Sequence, residues 1–181
     1  MESKVTRQAW RRQGKTYPQP LELVTEEIGV VEPTDVLIEV HGWALNYRDT
    51  NMLQGTNPWP ILLNGIVGAD AAGIVLAVGR SVTQFAVGDR ASPITNQKLI
   101  TGREQSREWL GGESEGVLAT HIVMHEQTLV HVPEHLSWTE AAILPVAGAT
   151  AWSALIIDGH LTSGKTVLVQ GIPLSMILCI V

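Results

Sequence analysis

The sequence predicts a mainly β domain with short helices, and three observations predict it. Glycine is abundant at 17 of 181 residues, about 9% against a usual level of roughly 7%, which points to tight turns and close backbone approaches. Apolar and polar residues alternate in short runs, as at Val36, Ile38 and Val40 against Glu39 and His41, the period of a half-buried strand. Helix signals are few and late: Ser137, followed three residues on by Glu140, is a capping-box pattern ahead of an apolar run. With 45% hydrophobic and 17% charged residues, the chain suits one domain with a sizeable core, or one domain and part of a second.

In chain order, "QAWRRQG" reads as a short strand, "PLELVTEE" alternates Leu21 and Leu23 with Glu22, and "VVEPTD" supplies a turn. The strand Val36 to His41 follows, then a short helix around Tyr47 to Leu53 and turns at Asn57, Pro58 and Pro60. "GADAAGIVLAVGRSVTQFAVGDRA" is strand, glycine-bounded turn and short strand, punctuated by Gly73, Gly79 and Gly88. Ser92 to Gly116 is polar and glycine-interrupted, a long surface excursion. "VLATHIVMHEQTLVHVP" restores strand character. Ser137 opens a helix that Pro145 ends or kinks, and Ala147 to Ile157 forms a second, ending near Gly159. The uncharged run Ala141 to Ile157 predicts a buried helical segment in which Trp152 packs into the core. Pro145, Gly148, Thr150 and Ser153 argue against a membrane span. "KTVLVQG" is apolar on both faces, the pattern of a central parallel strand. The ten residues after Gly171 are too few for a parallel crossover.

Several function classes are disfavoured. Twelve Lys and Arg against eighteen Asp and Glu leave a formal charge of -6, so no nucleic-acid or anionic-lipid partner is expected. Cys179 is the single cysteine, which excludes an internal disulfide and a thiolate-rich metal cluster. The amino end has Lys4, Arg7, Arg11 and Arg12 without an apolar run behind them, and Gly14 and Pro18 interrupt any targeting helix, so a cytoplasmic location is expected. His121 and His125, like His131 and His135, are four apart in strand and loop sequence, where that spacing carries no ligand geometry; they read as surface or turn residues.

"VLIEVHGWALNYRD", "GADAAGIVLAVGRSVTQFAVGDR", "HVPEHLSWTEAAILPVAGATAWSAL" and "GKTVLVQG" stand in an order and spacing that resemble the medium-chain dehydrogenase/reductase superfamily, especially its zinc-independent quinone-oxidoreductase-like and enoyl-reductase-like branches. The resemblance implies a GroES-like, partly open β-barrel over 6–133. Connecting helices and the first strand of an incomplete Rossmann domain would occupy 134–171, and 172–181 would be a divergent hydrophobic tail. It implies NADP or NAD as cofactor and reduction of an activated C=C or C=O in a small apolar or carbonyl-containing substrate, or the reverse alcohol oxidation. It implies no zinc: zinc-dependent members place a cysteine at Asn46 and a His-Glu pair at Ala69 and Asp70, and four cysteines in the region of Ser92 to Gly116.

The resemblance also nominates site residues. Asn46 would orient substrate at the floor of the cleft, and Tyr47 would donate a proton or hydrogen bond. Asn46, Arg48, Asp49 and Thr150 would lie by the cofactor, and Gly171 would open the phosphate turn. Scaffold roles stand beside these: Asp49 capping the short helix with Arg48 as its solvent partner, and Thr150 bonding its own i-4 carbonyl. After Gly171 the family pattern is lost, because Ile172 and Pro173 put bulk where pyrophosphate needs close approach. The expectation is a truncated product with doubtful activity. The alternative is a non-catalytic GroES-like binding or oligomerisation module, prone to self-association through an exposed C-terminal strand.

Overall fold

In the computed structural model, which describes residues 5–104 and 108–168, the chain opens with a hairpin of β1 (Thr6–Arg12) and β2 (Leu21–Glu27). Glu26 on β2 accepts hydrogen bonds from Arg11 and Arg7 on β1, each at 2.8 Å. Those bonds, Arg11's first, hold its carboxyl at about 2.

The main sheet uses β3 (Asp35–Ala44), β4 (Asp70–Val78), β5 (Arg90–Pro93), β6 (His121–His125) and β7 (Leu129–His131). They lie in the order β6-β3-β4-β5-β7, each pair antiparallel. The hairpin is stitched across this sheet: Trp10 N–H donates to Leu118 O at 3.0 Å, Thr120 N–H to Gln8 O at 2.9 Å and Arg12 N–H to Gly65 O at 3.1 Å. These bonds curl the strands into a partly open barrel around Val36, Ile38, Ile66, Val75, Val117 and Ile122, none more than 1% exposed. The alternation expected on β3 holds from Glu39 onward, but Val36, Leu37 and Ile38 are all buried because that end of the strand is covered on both faces.

The helices follow their sequence signals closely. Helix α1 (Tyr47–Gln54) lies where the short helix is expected. Helix α2 (Trp138–Ala142) opens on the Ser137–Glu140 capping box, with Ser137 N–H donating to Glu140 Oε2 at 2.8 Å. Trp138 fastens α2 to the sheet: the His41 ring stacks on it at 5.0 Å and the Arg90 guanidinium packs 4.0 Å from its centroid. Pro145 breaks the helix as expected, and Leu144–Gly148 forms a wide helical turn before α3 (Ala149–Trp152) and a second wide turn, Ser153–Asp158.

Three expectations change. The segment Ala141 to Ile157 is not a buried helix: beyond Ala141 and Ala142 only Ala147 and Ala151 are buried, and Trp152 is 58% exposed instead of packing in the core. Apolar periodicity signals a face in need of cover, and no element among the described residues supplies it. No helix there is long and apolar enough to cross a membrane. The Ser92–Gly116 stretch is not wholly a surface excursion, since Thr95, Asn96, Leu110, Gly111 and Gly112 are buried. Of the expected "KTVLVQG" strand, 165–168 has no ladder partner among the described residues, and 169–171 lies outside them.

Candidate active site

Asn46 precedes α1 in extended conformation and forms a reciprocal capping box with Asp49, whose Oδ2 accepts from Asn46 N–H at 2.8 Å. The capping role expected of Asp49 is therefore present. The Asn46 side chain reaches further: its Nδ2 donates to Asp70 Oδ2 at 2.8 Å. Asp70, at the start of β4 and 1% exposed, accepts a second bond on Oδ1 from the Val146 N–H at 3.0 Å. That N–H is available because Pro145 interrupts the helical ladder just before it. Burial pushes the Asp70 carboxyl up to about 6, against the opposing pull of these two donors.

Of the other nominated residues, Tyr47 is 80% exposed on the first turn of α1. Arg48 does not extend into solvent as a surface partner of Asp49: its Nη1 donates to Leu110 O at 2.8 Å. Beside it the fully buried Arg12 donates to Gly111 O at 2.5 Å and to Leu62 O at 3.1 Å. Two guanidiniums thus hold consecutive carbonyls at the base of the long loop. Burial lowers the pKa of both. Buried Asp49 is pushed up by the same exclusion of water, and Arg48 and Arg12 partly offset it. Thr150 is exposed on α3, and Gly171 lies outside the described residues.

A groove adjoins this cluster. One cavity of about 540 Å³ is lined by Thr95, Trp109, Val146, Ala149, Thr150 and Ser153, among others. A second, of about 430 Å³, shares Thr95, Leu99, Trp109, Pro145 and Ala149 with it and adds the apolar Ile94, Val130 and Leu144. Val146 therefore belongs both to the groove wall and to the Asp70 hydrogen-bond cluster. The structure brings Asn46, Asp49 and Asp70 together and places Thr150 on the neighbouring wall.

Asp70 and the groove residues Thr95 and Trp109 were not among the residues nominated from sequence. The usable signal for Asp70 was a lone carboxylate in the small, apolar run "GADAAG", since a buried charge must find donors. A zinc ion does not fit here. Ala69 offers no ligand atom, the Asn46 amide nitrogen is committed to Asp70, and no three His, Cys, Asp or Glu residues converge among the described residues.

Residues 32–134, more than half of the chain, match the alcohol dehydrogenase GroES-like domain. The chain is 34% identical over 146 residues to a zinc-type alcohol dehydrogenase-like protein of Schizosaccharomyces pombe, covering 78% of this chain and 42% of that protein. It is 32% identical over 156 residues to a quinone oxidoreductase of Pongo abelii, covering 85% and 42% respectively. A Sinorhizobium meliloti 1021 structure solved as an alcohol dehydrogenase superposes with a TM-score of 0.85 at 34% identity, covering 98% of this chain and 54% of that one. The chain belongs to the medium-chain dehydrogenase/reductase superfamily, in its quinone-oxidoreductase and alcohol-dehydrogenase-like branch, and is homologous to NAD(P)H-dependent oxidoreductases. It spans less than half the length of these curated relatives.

Proposed function

We propose that the Asn46 cluster and its groove form the substrate side of an oxidoreductase active site that reduces an activated C=C or C=O with NADPH or NADH, or runs the reverse alcohol oxidation. The supporting observation is the place of Val146, on the groove wall and on the same carboxylate that holds Asn46. Thr150 and Asn46 would lie beside a bound nicotinamide, which would supply the hydride. The Asn46 amide has its oxygen in the capping box and one N–H on Asp70, which leaves one N–H to donate. Directed at a substrate oxygen, that donor stabilises the negative charge that grows there as hydride arrives at carbon. Tyr47, exposed to water, gives the proton that completes the reduced product and regains it from solvent. The apolar groove holds the rest of a small apolar or carbonyl-containing substrate.

In this reading 6–133 is the catalytic-type barrel, 134–171 the connection into the cofactor domain and 172–181 a separate tail, with Gly171 and the neighbourhood of Arg48 and Asp49 on the cofactor side. A cytoplasmic location suits it, since the single Cys179 asks for no oxidising compartment. A second reading, a GroES-like binding or oligomerisation module, is favoured by one observation: Ser153–Asp158 buries no residue, leaving Ile157 56% exposed.

Acetophenone, an aryl ketone that is not reduced while no nicotinamide cofactor is added, separates the two by NMR titration of the labelled chain. The oxidoreductase reading expects amide shifts at Thr95, Trp109, Val146 and Thr150, with affinity about fivefold weaker in Asn46→Ala, the worth of one neutral hydrogen bond. Shifts gathered instead in the separate cavity of about 200 Å³ lined by Gln8, Trp10, Trp43 and Leu118, or unchanged affinity in Asn46→Ala, would defeat it.

A further inference from the structure

We propose that Asp70 is a positioning residue: its one carboxylate clasps the Asn46 amide and the Val146 N–H together, and taking up a proton releases one of the two. The inference concerns the ligand-free chain and holds whether or not the groove binds a carbonyl compound.

The two bonds on one carboxylate support it. Both partners come to Asp70 as N–H donors, at 2.8 Å on one oxygen and 3.0 Å on the other. An ionised carboxylate accepts on both oxygens, whereas a neutral carboxyl carries an O–H on one of them, and an O–H facing an N–H is not a hydrogen bond. Val146 has no second way to bind, because a backbone N–H can only donate. Asn46 can turn its amide to offer oxygen to the new O–H, but the Nδ2 that held Asp70 is then turned away from it. Either way the Asn46 N–H that is not on Asp70 changes direction.

The charged surroundings let this happen near neutral pH. Helix α1 brings Asp49, which raises the Asp70 carboxyl, and Arg48, which lowers it, both weaker than the effect of burial. From the other packed elements, Glu140 on α2 is exposed and bound to its own cap at Ser137, and Arg90 on β5 is spent on the carbonyls of Glu134 and Leu136. On β3, Glu39 and His41 pair with each other at 3.4 Å. The Leu144–Gly148 turn carries no titratable side chain. Burial sets the carboxyl at about 6, so the clasp is closed at pH 7.5 and open at pH 5.

NMR of the 181-residue chain from pH 5 to 7.5 tests the clasp. The side-chain carboxyl carbon of Asp70, the Val146 amide and the Asn46 side-chain amide are expected to titrate together with a midpoint near 6. In Asp70→Asn, both amide signals should stay flat near their low-pH positions, while Asp49→Asn should keep the joint titration. The proposal is overturned if the Val146 and Asn46 signals do not move in the native chain, or move equally in Asp70→Asn. If Asp70→Asn does not fold, the native carboxyl carbon decides: a flat Asp70 signal over this range while the two amides shift overturns it.

Discussion

Arg12→Ala is expected to lower the stability of the barrel by about 4 kcal/mol, read as a fall in the urea midpoint by circular dichroism. Arg12 is 0% exposed, and its guanidinium satisfies the carbonyls of Gly111 and Leu62. Truncation leaves a cavity beside Met52 and strips the buried Gly111 carbonyl of its donor, costing roughly 1–3 kcal/mol for that group, while Leu62 O keeps the Gly65 N–H at 3.3 Å. Removing a charge that burial already disfavours returns part of this loss. Lysine should not rescue it, because a single ammonium cannot reproduce the planar fork that reaches two carbonyls. Since Gly111 anchors the loop that carries Thr95 and Trp109 to the groove, the same variant should also weaken acetophenone binding. A loss below about 1 kcal/mol would show that this buried guanidinium does not hold the loop.

Gly73→Ala is expected to cost at least about 3 kcal/mol, measured in the same way. Gly73 lies opposite Val40, beside the bulge where His41 has no partner on β4. A Cβ at this position would collide with the Glu39 carbonyl and come within 2.8 Å of Ile38 Cγ2. The obstacle is backbone of a central strand that also pairs with β6, so relief requires moving β3 against both neighbours. Alanine at Gly29, where a Cβ would meet nothing within 4 Å, is the control and should be close to neutral. Equal stability of the two variants would mean that β3 and β4 are not packed as tightly as described.

Much of this architecture was legible in local pattern. The alternation in β3, the Ser137–Glu140 box and the break at Pro145 are set by neighbours within a few residues, and each element appears where those signals stand. The Asp70 cluster was not legible, because it joins residues 24 and 76 positions apart and one of its donors is a backbone N–H, which every residue but proline carries. The anchoring of the long loop was hidden for the same reason: its acceptors are carbonyls, while its composition is polar and reads as solvated. Trp152 shows the opposite failure, an apolar residue whose pattern demanded burial that no described neighbour provides.

Whether Asn46 stabilises the reacting oxygen is tested most directly by hydride transfer. The barrel and its connecting helices, joined after Gly159 to the remaining half of the Sinorhizobium meliloti structure that superposes on it with a TM-score of 0.85, would be assayed with NADPH and 2-cyclohexen-1-one. Turnover is expected, with kcat lowered about a hundredfold by Asn46→Ala, the usual worth of one donor at a developing oxyanion. A chimera that binds NADPH but transfers no hydride, or one in which Asn46→Ala keeps the full kcat, would contradict the assignment of this face as the substrate side of the active site.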